Sequence, residues 1–546
     1  MSAQTTSDTP FKEIALTLSG GGYRAAAFHL GTVDCLKRLG LLDNVTMLST
    51  VSGGTITGMM YAVSVTEGRS YQDFYDRLYS LLLKTDVIKK ALDSLYTIPG
   101  ADKTLSLIRS AAQVYADDIF GDQTLALLYT PAQSRFKELI FNATEFRTGN
   151  SFRFQRSQSV DAVIGNALVP INRDVALQSR LADILAASSC FPGGFEPLRF
   201  PDDFQWLAGN DLAAIRQMLG PDFKDKNGQA TNVALMDGGI YDNQGLEGIL
   251  LASKRRADTK LDLLIVSDTN QRNDSIYQSP KQERKGRLTL NGLSWIMQLI
   301  MVLSILTAAA VLRQLIKTLH DSGLSFFEFI YRQPSDFIYL HLMPLLLAAA
   351  VGGTLSWAFS AASRNKEVKI EGANFKLWPI VRRLTIPDLL DLLRLRFDSL
   401  MAITSYIFMK RIRALNLSGL MEDPDLRNDV LFNVLYEMEL NHPKLVGKDP
   451  ETEPTNALKQ VAARAEAVET KLWVTNQQEL NNLIACGQAT TCFNILKFLW
   501  EKRTAEMQAK SGPLYALYLD ALKLWKELKQ EPTRYAAGSA VARPDQ

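Results

Sequence analysis

Two glycine-rich turns constrain this chain more than any other feature. Ser19-Gly20-Gly21-Gly22-Tyr23-Arg24 follows the apolar run Glu13 to Leu18, and Thr50-Val51-Ser52-Gly53-Gly54 follows Val45 to Thr50. Each turn joins a strand-like run to a helix-like segment. Consecutive glycines carry no Cβ, so several N–H groups can converge at a helix N-terminus, where the dipole also favours negative charge. Gly20, Gly21 and Gly22 therefore read as an oxyanion hole. Ser52 sits where a sharp strand-to-helix bend would expose its Oγ, with Gly53 and Gly54 relieving the crowding, and reads as a nucleophile. No Gly-Lys-Ser/Thr follows the first glycines, which excludes a Walker phosphate loop, and a dinucleotide fingerprint is absent.

A serine hydroxyl needs a base. The chain has four histidines, His29, His320, His341 and His442, none in the setting of a catalytic loop. His29 lies one turn into the helix after the glycines and reads as a satisfied helix histidine. The better partner is Asp237, which ends the apolar run Val233 to Met236 in Met236-Asp237-Gly238-Gly239. Asp242 and Asn243, just beyond, read as loop braces.

LSGGGYRAAAFHLG, TVSGGT and MDGGIYDNQG, in that order, resemble the three signature blocks of the patatin-like phospholipases. Glu138 to Phe154 is similar to that family's central hairpin, and AASSCFPGGFEPL (Ala186 to Leu198) to its Ala-Ser-Ser and Pro-rich turn. The blocks cover Lys12 to Asn270, roughly the first half of the chain. The resemblance, to a bacterial-type, membrane-anchored member, implies a three-layer α/β fold with a central, mostly parallel sheet. It also implies a Ser/Asp dyad without histidine: Ser52 as nucleophile, Asp237 as base, Gly20 to Gly22 as the oxyanion loop with Arg24 as its charged support, and no metal or organic cofactor. One position departs from the family's Gly-x-Ser-x-Gly elbow, where Thr50 replaces the first glycine. A β-branched residue is tolerable there if it keeps strand angles.

The middle of the chain holds a different signal. Leu288 to Leu312 and Phe337 to Ser363 are runs of 25 and 27 residues without Asp, Glu, Lys or Arg. At about 1.5 Å per residue, either crosses the roughly 30 Å hydrocarbon layer. Outside the pair lie Lys281, Arg284, Lys285, Arg287, Arg364, Lys366 and Lys369, against Arg313, Lys317 and Arg332 in the connecting loop. This asymmetry places both outer ends, and with them the catalytic core, on the cytoplasmic side of a two-span hairpin. Two buried core helices, or a hairpin lying in one leaflet, are the alternatives. The loop's LSFFEFIY (Leu324 to Tyr331) reads as an interfacial aromatic cluster.

A length of 546 residues and 47% apolar content allow large cores. A net charge of +2 argues against nucleic acid as the main partner. The polar N-terminus carries no apolar export segment. Cys35, Cys190, Cys486 and Cys492 read as free thiols, although Cys486 and Cys492 are close enough in sequence to meet. The expected organisation is a catalytic core over 1–280 with a helical cap at 67–135, a hairpin insertion over 281–369, and a helical C-terminal region over 370–546. Within that last region Glu451 to Leu472 reads as a solvated helix and the chain as a disordered tail from about 536. The expected activity is a membrane-associated lipid acyl hydrolase of phospholipase A or lysophospholipase type, working through an acyl-enzyme. Its partners are membrane lipids and the bilayer. An acyltransferase or thioesterase with the same dyad, or a silent lipid-binding scaffold, is the alternative. The preferred lipid, acyl position, oligomeric state and protein partners are not legible.

Overall fold

The apolar runs beside the two glycine turns become neighbouring strands. The computed structural model describes residues 10–95, 105–130, 135–207, 212–219, 228, 231–256, 260–270, 288–363, 367–370, 373–376, 383–424, 426–438, 446, 447 and 449–537. The chain forms two compact units, one of Met1–Asp274 with Ser405–Gln546 and one of Ser275–Thr404.

The first unit is built on strands β1 (Ile14–Leu18), β2 (Val45–Val51), β3 (Glu138–Glu145), β4 (Ser151–Ser157), β5 (Leu198–Phe200), β6 (Val233–Asp237), β7 (Leu263–Asp268) and β8 (Val430–Val434). They form one sheet in the order β8-β7-β1-β2-β3-β6-β5, with β4 also paired to β3. The pairs β8–β7, β7–β1, β1–β2 and β2–β3 are parallel, whereas β3–β4, β3–β6 and β5–β6 are antiparallel. Alternate residues feed two cores. Ile14, Leu16, Leu18, Leu263 and Ile265 enter the larger, and Ala15, Leu264 and Val266 the smaller on the opposite face. A parallel sheet buried on both faces needs continuous apolar strands, which is why these segments read as runs rather than alternations. The result is the expected three-layer α/β fold.

The helices that matter for function are α1 (Gly22–Arg38), α2 (Gly53–Thr66), α3 (Leu181–Ser188), α4 (Leu290–Ser322), α5 (Met343–Ser363), α6 (Met409–Glu422) and α7 (Gln477–Lys502). The C-terminal region is helical, as expected, but it also supplies β8 to the sheet and α7 to the larger core. α1 and α7 cross on glycine: a Cβ on Gly31 would lie 2.0 Å from the Ile484 carbonyl oxygen, and one on Gly487 2.0 Å from that of Phe28. Glu451 to Leu472 is not a solvated helix. It holds a helix over Asn456–Glu466 that buries Leu458, Val461, Ala462 and Ala465, because its apolar residues recur at helical spacing on one side. The chain is still ordered at Tyr535 and Ala536, both buried, whose carbonyls accept hydrogen bonds from the Tyr75 hydroxyl at 3.2 and 3.0 Å. The rest of the expected tail, 538–546, lies outside the described residues. Cys486 and Cys492 do not meet: all four cysteines are free and buried, and these two thiols donate to the separate carbonyls of Leu435 and Ala521.

In the second unit, α4 and Phe337–Thr354 are helices long and apolar enough to cross a membrane, and only 6% of the most apolar stretch of each is buried. Within this unit that leaves no pair of core helices shielded by protein, since Trp295, Leu299, Leu347 and Trp357 are all exposed. The second run is not uniform. Phe337–Leu342 is π-helical before α5 begins at Met343, where Pro344 has no N–H to give and its ring crowds the preceding carbonyls. α5 approaches α4 at Gly352, whose Cβ position lies 3.5 Å from that of Ser304. The unit also holds the helix Ile386–Ala402, beyond the expected limit of 369. Of the orienting cations, Lys281, Arg284, Lys285, Arg287, Arg364 and Lys366 lie outside the described residues.

The α1–α7 crossing yields a stability test. Helix propensity alone would favour Gly31→Ala by roughly 1 kcal/mol. A methyl 2.0 Å from a backbone carbonyl must push two helices apart, at a cost of about 1–3 kcal/mol or more. The expected outcome is a lower melting temperature for Gly31→Ala by differential scanning fluorimetry, and an unchanged or higher one would contradict the crossing.

Candidate active site

β3 brings the two halves of the site together. β4 occupies one edge of β3 from Glu138 to Thr144. The other edge is shared: β2 pairs with Glu138 to Asn142, and β6, running the opposite way, with Ala143 to Glu145. Val51 faces Asn142 and Asp237 faces Ala143, so the ends of β2 and β6 meet at successive positions of one strand. Side chains of β3 fix both ends. Asn142 Nδ2 donates to the Thr50 carbonyl at 2.9 Å, and Thr144 Oγ1 to that of Asp237 at 2.8 Å.

Ser52 follows β2 directly, with φ 52° and ψ −119°. A non-glycine residue held there costs of order 1–3 kcal/mol. The bend is held from several directions. The Ser52 amide donates to Ser188 Oγ at 3.0 Å, and Ser188 Oγ donates to the Asn142 carbonyl at 2.7 Å. Thr50 lies within β2 with strand angles, its hydroxyl 3.0 Å from that of Thr55, so the missing elbow glycine is accommodated. Gly53 is required: a Cβ there would lie 2.0 Å from the Gly22 carbonyl oxygen, and Gly22 itself has φ +59°. The two glycine turns abut through these two residues.

Ser52 and Asp237 are 6% and 5% exposed, and the Ser52 hydroxyl stands close enough to the Asp237 carboxyl to lower its pKa. The Gly239 amide donates to Asp237 Oδ1 at 2.8 Å. Burial pushes the Asp237 carboxyl up to about 6, against the Ser52 hydroxyl and the bond from Gly239. A carboxylate so placed can take the serine proton near neutral pH. Tyr115, whose hydroxyl lies 3.4 Å from Ser189 Oγ, stands close enough to Asp237 to feel its charge. Burial is the larger reason that its hydroxyl is raised to about 12.

The oxyanion loop differs in detail from expectation. The Gly20 amide is committed to the Asn243 carbonyl at 3.1 Å, and the Tyr23 amide to that of Lys471 at 2.7 Å. Gly20 therefore braces the strand end, while the Gly21 and Gly22 amides meet no protein acceptor among the described residues. Arg24 does not face the serine. It donates to the carbonyls of Thr269 at 3.2 Å and Val468 at 3.1 Å, and Thr269 Oγ1 donates to the Gly20 carbonyl at 2.8 Å, so its support reaches the loop through Thr269. Asp242 is a brace: its Oδ1 accepts from the Gln244 and Gly245 amides and from Asn416 Nδ2, and its Oδ2 from the Glu247 amide. Gly54 backs onto β1, 2.2 Å from Cβ position to the Leu18 carbonyl oxygen.

Residues 16–250 match the family model of the patatin-like phospholipases. The chain carries a patatin-like phospholipase domain. No curated protein matches the chain. Among solved structures it is similar to human GIVD cytosolic phospholipase A2 with a methyl gamma-linolenyl fluorophosphonate inhibitor and terbium chloride. That match is at 17% identity and TM-score 0.29, over 47% of this chain and 40% of that one. Another structure of the human enzyme matches at 12% identity and TM-score 0.38, over 94% and 63%. VipD from Legionella pneumophila matches at 11% and 0.20, over 99% and 95%. The chain thus spans 40% and 63% of the two human structures.

Around the patatin-like site stand residues that sequence reasoning did not place there: Asn142, Ser188, Thr269 and Lys471. Ser188 falls in the quoted AASSC segment and Asn142 in the hairpin, so both had a local signal. Lys471 had none, being linked to α1 only through the fold.

The raised Asp237 carboxyl has a consequence for stability. A folded pKa of about 6 above the ordinary 3.8 means that the ionised group disfavours the fold above pH 6, and that the penalty fades as pH falls towards 4. Asp237→Asn keeps the acceptor for Gly239 without the charge. It is expected to stabilise the protein at pH 8 by on the order of 3 kcal/mol, and little at pH 4. Denaturant unfolding at the two pH values checks the sign, and a variant weaker than wild type at pH 8 would refute it.

Proposed function

We propose that the protein is a membrane-associated lipid acyl hydrolase acting through a Ser52/Asp237 dyad. The observation that carries this is the pair itself: a serine hydroxyl at a positive-φ strand end, beside a buried carboxyl on the neighbouring strand end that burial raises to about 6. Asp237 takes the Ser52 proton as Oγ attacks the acyl carbonyl. The negative charge that forms on the carbonyl oxygen is met by the Gly21 and Gly22 amides, together with that of Gly53, the residue after the nucleophile. Removing one such donor typically costs about 2.7–4 kcal/mol of barrier stabilisation. The ester C–O bond breaks and the alcohol leaves with the proton held by Asp237; a water, giving its proton to the same carboxylate, then attacks the acyl-enzyme, the bond to Ser52 Oγ breaks, Oγ takes that proton back from Asp237, and the fatty acid is released.

The reading includes two membrane spans, α4 and the Phe337–Ser363 segment, with both outer ends cytoplasmic. Their exposed apolar surface and the seven flanking cations against three in the loop support it. An anchor of this kind keeps the catalytic unit with a substrate that rarely leaves the bilayer.

Wild type is expected to label with a fluorophosphonate probe and to release fatty acid from a lipid extract, as read by mass spectrometry. Ser52→Ala should do neither, losing about 10³-fold or more in turnover. An unlabelled wild type would favour a silent scaffold. Because only ionised Asp237 is a base, kcat/KM should fall tenfold per pH unit below about 6, and a flat profile down to pH 5 would move the base elsewhere. For topology, Phe327→Cys, at a position 81% exposed, should react with an impermeant maleimide only from the side opposite the N-terminus. Reaction from the same side would mean a hairpin in one leaflet.

A further inference from the structure

The loop of three glycines has little stiffness of its own, and its backbone is anchored on the side away from Ser52. The Ser19 amide donates to the Ser267 carbonyl at 3.1 Å, and Ser19 Oγ accepts from the Thr269 amide at 3.0 Å. The remaining polar group of Ser19, its carbonyl, meets Nε2 of His29 at 3.0 Å. We propose that His29, set by a line of hydrogen-bond donors from the C-terminal region, is a positioning residue that aims the oxyanion loop. This rests on the hydrolase reading above and deepens it.

The direction of every bond in the line follows from one group. A carbonyl can only accept, so Nε2 carries the hydrogen. The ring is wholly buried, and no carboxylate hydrogen-bonds it, so it is neutral and Nδ1 must accept. The atom facing Nδ1 at 3.0 Å is Ser267 Oγ, which therefore donates. Having given its single hydrogen, Ser267 can only accept from its other neighbours, Asn433 Nδ2 at 3.2 Å and Thr32 Oγ1 at 3.1 Å, whose one hydrogen is shared with the Phe28 carbonyl at 3.4 Å. Asn433 turns its amide nitrogen towards Ser267, Thr32 at 3.0 Å and Thr491 at 2.9 Å, two hydrogens shared among three hydroxyl oxygens, while its Oδ1 is buried without a partner among the described residues. Asn433 lies on β8, so the donor line starts in the C-terminal region and ends on the oxyanion loop; Thr491, on α7, only accepts from Asn433. Aligned donors polarise one another, which strengthens the last bond. The Ser19–Gly20 peptide is planar. Holding its carbonyl also holds the Gly20 amide on Asn243, and the chain then enters Gly21 and Gly22 from a fixed direction.

The test uses the full chain in detergent with 15N-labelled histidine. Wild-type His29, assigned by loss of its signal in His29→Leu or, should that variant not express, His29→Gln, is expected to show the Nε2–H tautomer and to stay neutral down to about pH 5.5. An Nδ1–H tautomer or a charged ring at pH 7 would overturn the proposal. Asn433→Asp replaces the first donor with an acceptor and should shift the His29 signals off the Nε2–H pattern. Unchanged signals would likewise overturn it. With p-nitrophenyl butyrate, His29→Leu should lower kcat about tenfold or more with KM within about twofold. His29→Gln, whose amide N–H reaches the same carbonyl, should recover most of that loss. A folded His29→Leu with wild-type kcat defeats the positioning role. A wild type that neither labels nor turns over ester would instead defeat the hydrolase reading, and the tautomer would still decide the donor line.

Discussion

One edge of β3 carries the site. Two strands that are far apart in sequence and run in opposite directions pair with successive residues of that edge, so their ends have nowhere to go but together. The meeting point holds a serine forced into positive φ and a carboxylate stripped of water. Both are uncomfortable states, tolerated because Asn142, Thr144 and Ser188 hold the backbone around them. The strain and the raised carboxyl are two aspects of one arrangement: burial that disfavours the charge is what brings Asp237 near the pH at which a base is useful.

The oxyanion side depends on a second constraint. Glycine supplies the space for two turns to abut, Gly53 against Gly22, but not stiffness. Stiffness comes from outside the loop, through Thr269 on the Gly20 carbonyl, Asn243 on the Gly20 amide and Lys471 on the Tyr23 amide. The last of these comes from the C-terminal region, which also adds β8 to the sheet and packs α7 against α1 so closely that glycine is needed on both helices. A family match that stops at residue 250 therefore covers Ser52 and Asp237 but not everything that holds the backbone around them.

The middle of the chain obeys different physics. In the catalytic unit apolar residues are buried, whereas along α4 and the segment beginning at Phe337 they are exposed. Apolar surface of this extent marks a site of membrane or protein contact, and that difference underlies the proposal of an anchored enzyme.

Local pattern carried a good deal. Buried strands read as apolar runs, and the glycine blocks with their order along the chain pointed to the three-layer fold and to Ser52 and Asp237 as the proposed dyad, because these are properties of short segments. What the sequence could not hold was pairing. That Gly20 gives its amide to Asn243 rather than to a substrate, that Arg24 acts through Thr269, and that Lys471 closes over Gly22 all depend on contacts between residues tens to hundreds apart. The helix expected to be solvated at Glu451 to Leu472 was misread for the same reason, since its apolar side has a meaning only once Trp525 and α7 are packed beside it. The sequence by itself determined which chemical groups this protein has and the local bend each sits on. Only the tertiary structure decided which of their hydrogen-bonding atoms are already spent on the protein, because that is settled by which strand edges and helices come together.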